Sequence, residues 1–279
     1  MPIKTILVCM TTKENAETLM KAAVPLARRH GAHLVGLHTL QALEIYPGVA
    51  IHVTADVYQQ FNSGQQQEAD AIQAVFEAYT ENEDFISEWR LLKAQATMAS
   101  ERMVESARAA DLVIMAHEDK KTDRYDQRRA QSAVIRQSGR PVIVIPMDYD
   151  GPEVGQNLLV GWSDTREAAR AVHDALTLAG NASHFTLVRV TNRATDEMQD
   201  ADILDVSTAI SRHGHSVDVI QTEWHGSGIT EELLKTAFEK GADLIVTGAF
   251  GHSAAYDFVV GATTSKLLKD ANLPVLFSK

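Results

Sequence analysis

Ala110-Asp111-Leu112-Val113-Ile114 and Ala242-Asp243-Leu244-Ile245-Val246 are near-copies of one segment, in which alanine and aspartate lead into an aliphatic run. Each run is too short for a helix and is rich in branched aliphatic side chains, so it reads as a strand buried on both faces. About 30 residues after each comes a second short strand that opens with proline, Pro141-Val142-Ile143-Val144-Ile145 and Pro274-Val275-Leu276-Phe277. Similarity recurring in this order means that one structural unit occurs twice.

Working outward, the first half holds strand candidates at Thr5–Met10, His33–Leu37, Ile86–Leu91, Asp111–Met115 and Pro141–Ile145. Helix-like spacing covers Asn15–Arg29, Glu68–Tyr79, Thr97–Ala109 and Arg129–Ser138. The second half repeats the order, with strands at Leu158–Trp162, Phe185–Val190, Val217–Thr222, Asp243–Thr247 and Pro274–Phe277. Its helices read at Glu167–Ala179, Ile203–His213, Ile229–Lys240 and Thr264–Asp270. Aliphatic strands separated by amphipathic helices require a parallel sheet covered on both faces, an α/β architecture. The polar, turn-forming stretch Asp148-Tyr149-Asp150-Gly151-Pro152 divides the chain into residues 1–148 and 149–279. Only the first half carries an insertion, Gln41–Ser63, whose apolar residues Ile45, Tyr46, Val57, Tyr58 and Phe61 suggest a packed lid or interface segment rather than a loose loop.

The 279 residues are 45% hydrophobic and 23% charged, which excludes a disordered, collagen-like or coiled-coil chain. Net charge is −11, with 16 basic against 19 acidic residues over 1–148 and 10 against 18 over 149–279. A basic footprint for nucleic acid is absent at this scale. The single cysteine, Cys9, excludes an intrachain disulfide framework, and no apolar run approaches the length of a membrane span. The cytoplasm is the expected location.

Past the strand Asp243–Thr247 comes Gly248-Ala249-Phe250-Gly251-His252-Ser253, and nine residues separate Gly251 from Gly261, after which Ala262-Thr263-Thr264 open a helix. Glycines at a strand end let backbone approach a ligand, and a helix N-terminus offers free N–H groups to a phosphate. The Thr263 and Thr264 hydroxyls add donors, and His252 faces either a phosphate or the surface. Neither a Walker A loop nor a G-x-G-x-x-G fingerprint is present.

At these residues the sequence resembles the universal stress protein family, whose nucleotide-binding members carry G-x2-G-x9-G followed by serine or threonine; Ala262 stands at that last position. The resemblance covers the whole chain as two copies. It implies two tandem doubly wound domains, each with a five-stranded parallel sheet, and an adenine nucleotide such as ATP, with or without Mg2+, in the second. It places the base near Gly161-Trp162-Ser163-Asp164 and the backbone of Val190, with Ser163 where the family has aspartate and Asp164 beside it. Trp162 reads as packing under the site. Family dimers pair through the last strand, so Pro141–Ile145 and Pro274–Phe277 are expected to meet within one chain as a pseudo-dimer, with a homodimer as a further association.

The first half departs from this pattern. Its equivalent loop, Ala116-His117-Glu118-Asp119-Lys120-Lys121-Thr122-Asp123-Arg124, has no glycine, and its first-strand turn is Thr11-Thr12-Lys13. This half reads as structural, and Lys120, Lys121, Arg124, Arg128 and Arg129, interleaved with acidic residues, read as a solvated face. Cys9 reads as a small buried hydrophobe. His213, His215 and His225 lack metal-ligand spacing. There is no G-x-S-x-G elbow, no plausible nucleophile with an adjacent histidine and no carboxylate pair placed on one element for acid–base work, so catalytic residues are expected to be none. The reading is a nucleotide-responsive, stress-related binding module. A nucleotide-independent scaffold is the alternative, followed by a weak ATPase.

Overall fold

The computed structural model describes residues 2–43, 54–94, 98–118, 124–151, 153–191, 200–223, 228–251 and 262–279. The first half runs β1 (Thr5–Cys9), α1 (Lys13–His30), β2 (His33–Leu40), α2 (Ala55–Thr80), β3 (Ser87–Lys93), α3 (Ala99–Ala107), β4 (Leu112–Ala116), α4 (Arg124–Gln137) and β5 (Val142–Ile145). The second runs β6 (Asn157–Gly161), α5 (Arg166–Leu178), β7 (His184–Thr191), α6 (Asp200–Arg212), β8 (Ser216–Glu223), α7 (Ile229–Lys240), β9 (Leu244–Gly248), α8 (Ala262–Asp270) and β10 (Val275–Ser278).

Side chains alternate across each strand, and here both sides are apolar. Ile6 and Val8 enter the core beneath α1, α2, α5 and α6, while Leu7 and Cys9 enter the one beneath α3, α4, α7 and α8. A sheet buried on both faces by helices is the doubly wound arrangement. Cys9 is fully enclosed, and burial pushes its thiol up to about 12, so it serves as packing.

The aspartates of the repeated segment have one task in both halves. Asp111 accepts the backbone N–H groups of Lys4 (2.8 Å) and Thr5 (3.0 Å). Asp243 accepts those of Gly155 (2.7 Å), Gln156 (2.8 Å) and Asn157 (2.7 Å). Each carboxylate thereby pins the start of the central strand to the strand beside it, satisfying N–H groups that precede the ladder.

The strands form one ten-stranded sheet in the order β3-β2-β1-β4-β5-β10-β9-β6-β7-β8. Pairing within each half is parallel. The halves join where β5 and β10 pair antiparallel, with Val142 opposite Phe277, Ile143 opposite Leu276 and Val144 opposite Val275. The two last strands therefore meet as expected, and two apolar edges that would template aggregation cover each other. The seam is reinforced by Arg170, which donates to the Gly139 carbonyl at 2.8 Å, and by Arg29, which donates to the Val154 carbonyl at 2.8 Å.

Two helices begin earlier than their apolar spacing indicates. The helix expected from Glu68 starts at Ala55, so residues 55–63 of the insertion are its first turns, and Val57 and Tyr58 there are exposed. Val57, Tyr58 and Phe61 are separated from the apolar stripe after Glu68 by the polar run 62–67, rich in glutamine, so pattern reading does not join the two. Residues 44–53 of the insertion lie outside the described residues. The helix expected from Arg129 likewise starts at Arg124.

Candidate functional site

In a doubly wound sheet, ligands enter where the strand order reverses, at the carboxyl ends of the two strands flanking that point. In the second half these strands are β6 and β9, which pair with Gly161 opposite Thr247. The structure therefore brings Gly161-Trp162-Ser163-Asp164 beside Gly248 and Gly251, with Val190 near the end of the neighbouring β7. His252, Ser253 and Gly261 lie outside the described residues.

The turn after β6 is shaped by capping. Thr165 accepts the N–H of Ala168 at 3.2 Å as the N-cap of α5, and its hydroxyl lies 3.2 Å from that of Ser163. Asp164 points into solvent. The first half is built alike: Thr12 caps α1, accepting the N–H of Asn15 at 3.4 Å.

Past β9 the chain turns sharply. The Ala249 N–H donates to the Ser278 carbonyl at 2.7 Å, and the Phe250 N–H donates to Oγ1 of buried Thr264 at 3.3 Å. Thr264, read as a phosphate donor, thus also anchors the loop backbone to α8, whose first residue is Ala262 and where Thr263 is half-buried. Phe250 has φ +51°, a left-handed conformation rare for a bulky side chain.

The two glycines differ in what they face. A Cβ at Gly248 would lie 2.7 Å from the Ala168 nitrogen and from the Glu167 carbonyl carbon, so this glycine lets the first turn of α5 pack on the strand end. A Cβ at Gly251 would lie 2.8 Å from Oε2 of Glu167, the tip of a side chain. Glu167 is buried beside Arg166, whose Nε donates to it at 2.7 Å. Burial, the largest single influence, pushes the Glu167 carboxyl up, but the bond and charge of Arg166, a backbone N–H and the charge of Lys279 together hold it below the usual range.

Trp162 packs inward as expected, and its indole N–H donates to Oδ2 of Asp202 on α6 at 3.0 Å. Asp202 is also paired with buried Arg189. Burial raises the Asp202 carboxyl, yet its bonds from Arg189 and Trp162 leave it below the ordinary value. Glu167, Arg189 and Asp202 went unnoticed in the sequence because their partners come from other elements, without a common motif.

At the first-half switch point, β1 and β4, side chains stand where the second half has glycine. The His117 N–H donates to the Ile145 carbonyl at 2.7 Å, the counterpart of the Ala249 bond. Burial lowers the His117 imidazole from 6.5 to about 4. Glu118 is paired with Arg128, and Gln131 of α4 donates to the Ala116 carbonyl at 2.6 Å, in the place where Thr264 serves α8. His38, also buried, bonds through Nδ1 to the Met10 carbonyl at 2.8 Å. The Lys13 N–H at the start of α1 donates to Glu68 at 2.6 Å. Lys120 and Lys121 lie outside the described residues.

A cavity of about 570 Å³ opens at the opposite end of the sheet, lined by Lys4, Arg28, His33 and Ile86, and includes none of these residues. Among the described residues no three His, Cys, Asp or Glu side chains converge as a metal centre, and no helix is long and apolar enough to cross a membrane.

Comparison with known proteins agrees with this geometry. A universal stress protein of Synechocystis sp. (strain PCC 6803) is 23% identical over 143 residues, which are 51% of this chain and 48% of that relative, so the match spans about half of its length. Among solved structures, a universal stress protein from Archaeoglobus fulgidus superposes with a TM-score of 0.70 at 13% identity, covering 98% of this chain and 96% of its own. A functionally unknown protein from Pseudomonas aeruginosa gives 0.58 at 15% identity, covering 99% and 92%. The model of the universal stress protein family matches twice, over residues 2–146 and 155–279. Two matches on two halves with one shared strand order make the chain a tandem, two-domain member of the universal stress protein family.

Proposed function

We propose that the second half binds an adenine nucleotide, ATP or a close relative with or without Mg2+, at the carboxyl ends of β6 and β9, and that the protein acts as a nucleotide-responsive module in a stress response. One observation carries this reading: β9 is followed by residues 249–261 before α8 begins, and what the Cβ-less face of Gly251 meets first is the Glu167 side chain, which can rotate. A phosphate can occupy that cradle once Glu167 swings aside. The Thr264 hydroxyl and the start of α8, whose N–H groups and dipole favour anions, stand next to it. Gly161, Ser163, Asp164 and Val190 would border the base, and His252, Ser253, Gly261, Ala262 and Thr263 complete the proposed loop. The pseudo-dimer within the chain leaves β3 and β8 as sheet edges, where a homodimer would have to form.

A nucleotide-independent interaction scaffold is the second reading. It is favoured by the Glu167 carboxylate packed against Gly251 and by serine at position 163, which leaves exposed Asp164 as the nearest carboxylate of that turn. Thermal unfolding separates the two. A ligand at 100 times its dissociation constant stabilises the native state by about 2.7 kcal/mol, which for this size raises the melting point by several degrees. ATP is expected to produce that rise in the wild type, and Gly251→Val, measured against its own baseline, is expected to lose most of it. Absence of any rise in the wild type at millimolar ATP, with and without magnesium, would remove the nucleotide-responsive reading and make the scaffold the better one.

A further inference from the structure

The proposed nucleotide site has a charge problem. From Gly248 to Thr264 the sequence contains neither lysine nor arginine, and the single charged residue there is Asp257. At Gly251 the nearest charged group is the Glu167 carboxylate, and the adjacent Arg166 is bound to it. Lys266, further along α8, is paired with Glu231. A polyphosphate carries several negative charges, and backbone N–H groups alone answer them weakly.

Two cations approach Phe250, Lys279 from the same half and, closer, Arg136 from the other. The guanidinium carbon of Arg136, on α4, lies 3.7 Å from the centroid of the Phe250 ring, with Lys279 Nζ at 6.0 Å from the same centroid. Phe250 stands between Gly248 and Gly251, is buried, and holds the left-handed backbone that turns the loop. A bulky residue keeps such a conformation only where its surroundings over-determine it. Two contacts do so here: the Thr264 hydroxyl on its N–H and the stacked guanidinium on its ring. The end of α4 is held at the seam by Arg170, which bonds the Gly139 carbonyl just past Arg136.

We infer that Arg136, from the half without the glycine loop, is a positioning residue of the other half's nucleotide site: stacked on Phe250, it holds the Gly248–Gly251 turn and supplies positive charge toward bound phosphates. The inference rests on the nucleotide reading above. It gives the first half a role in ligand binding although its own switch point carries side chains where the second half has glycine.

The test is calorimetric titration of the full chain with ATP and, separately, with adenosine. The proteins are the wild type, Arg136→Ala, Arg136→Lys and Arg129→Ala, the last removing an exposed arginine from the same helix; melting without ligand checks that each is folded. Arg136→Ala is expected to weaken ATP about tenfold and adenosine by less than about twofold, because only the phosphates meet the lost charge. Arg136→Lys is expected to recover part of the ATP affinity, and Arg129→Ala to bind like the wild type. The inference is overturned if Arg136→Ala binds ATP as tightly as the wild type, if ATP and adenosine weaken alike, or if Arg129→Ala loses as much. A wild type that binds neither ligand removes the nucleotide reading and this inference together, whereas a binding wild type with an indifferent Arg136 removes this inference alone.

Discussion

Past β4 the chain turns through His117 and Glu118 into α4, which has 14 residues; past β9 it turns through Ala249, Phe250 and Gly251, and α8 has nine. The strands, their order and the aspartate latch are shared. What differs is the space above the strand ends. In the first half extra helix and the side chains of His117, Gln131 and Glu118 stand at that space, and in the second Gly248 and Gly251 do, with Glu167 against Gly251. A doubly wound frame thus tolerates either ending, because its stability comes from the two apolar layers and not from the loops at the carboxyl ends. Duplication preserves the frame while the ends diverge.

The comparison is broken most forcefully at the shared latch. Asp243→Ala strips the carboxylate from three backbone N–H groups and is expected to cost about 4 kcal/mol, while Asp111→Ala, with two, is expected to cost about 3. Denaturant unfolding of the full chain measures both. If either variant is as stable as the wild type, the latch is not what holds that half's central strand.

The strand ends come next. Gly248→Ala drives a Cβ into the backbone of Glu167 and Ala168 and is expected to cost about 3 kcal/mol. Ala116 is its counterpart at the end of β4 and already carries a Cβ, so Ala116→Gly is expected to cost only about 1 kcal/mol. Similar losses at both places would show that the two ends are packed alike.

The acid response separates the halves in a third way. Burial places the His117 imidazole at about 4 in the folded protein against an ordinary 6.5, so between these values the unfolded chain binds the proton more readily. Its contribution is therefore fully present above pH 6.5 and is lost as pH falls through 4, by about 3 kcal/mol in all. His117→Gln is expected to flatten the decline in unfolding free energy between pH 7 and pH 4.5. Ala249, at the matching place in the second half, brings no such titration. An unchanged acid limb in the variant would mean that His117 does not distinguish the halves.

Most strands and helices and the duplication could be read from the residues themselves, and the pairing of the two last strands followed from the family resemblance that those residues carry. The start of α2 at Ala55 and of α4 at Arg124 could not, since the polar run 62–67 interrupts the apolar stripe of the one and the first turn of the other is polar. Of the candidate site, the Thr165 cap and inward Trp162 follow from local chemistry. The groups that meet them do not.

By itself the sequence determined a twofold α/β frame with one glycine-bearing loop, because alternation, helical spacing and glycine turns are local properties of neighbouring residues. Only the tertiary structure decided that Gly248 makes room for α5, that Glu167 lies against Gly251, that Asp202 receives Trp162 and Arg189, and that Arg136 covers Phe250 across the seam. Each of these contacts joins separate elements through side-chain rotamers and strand order. Such contacts exist only once the chain has closed its sheet, so no local pattern along the chain records them.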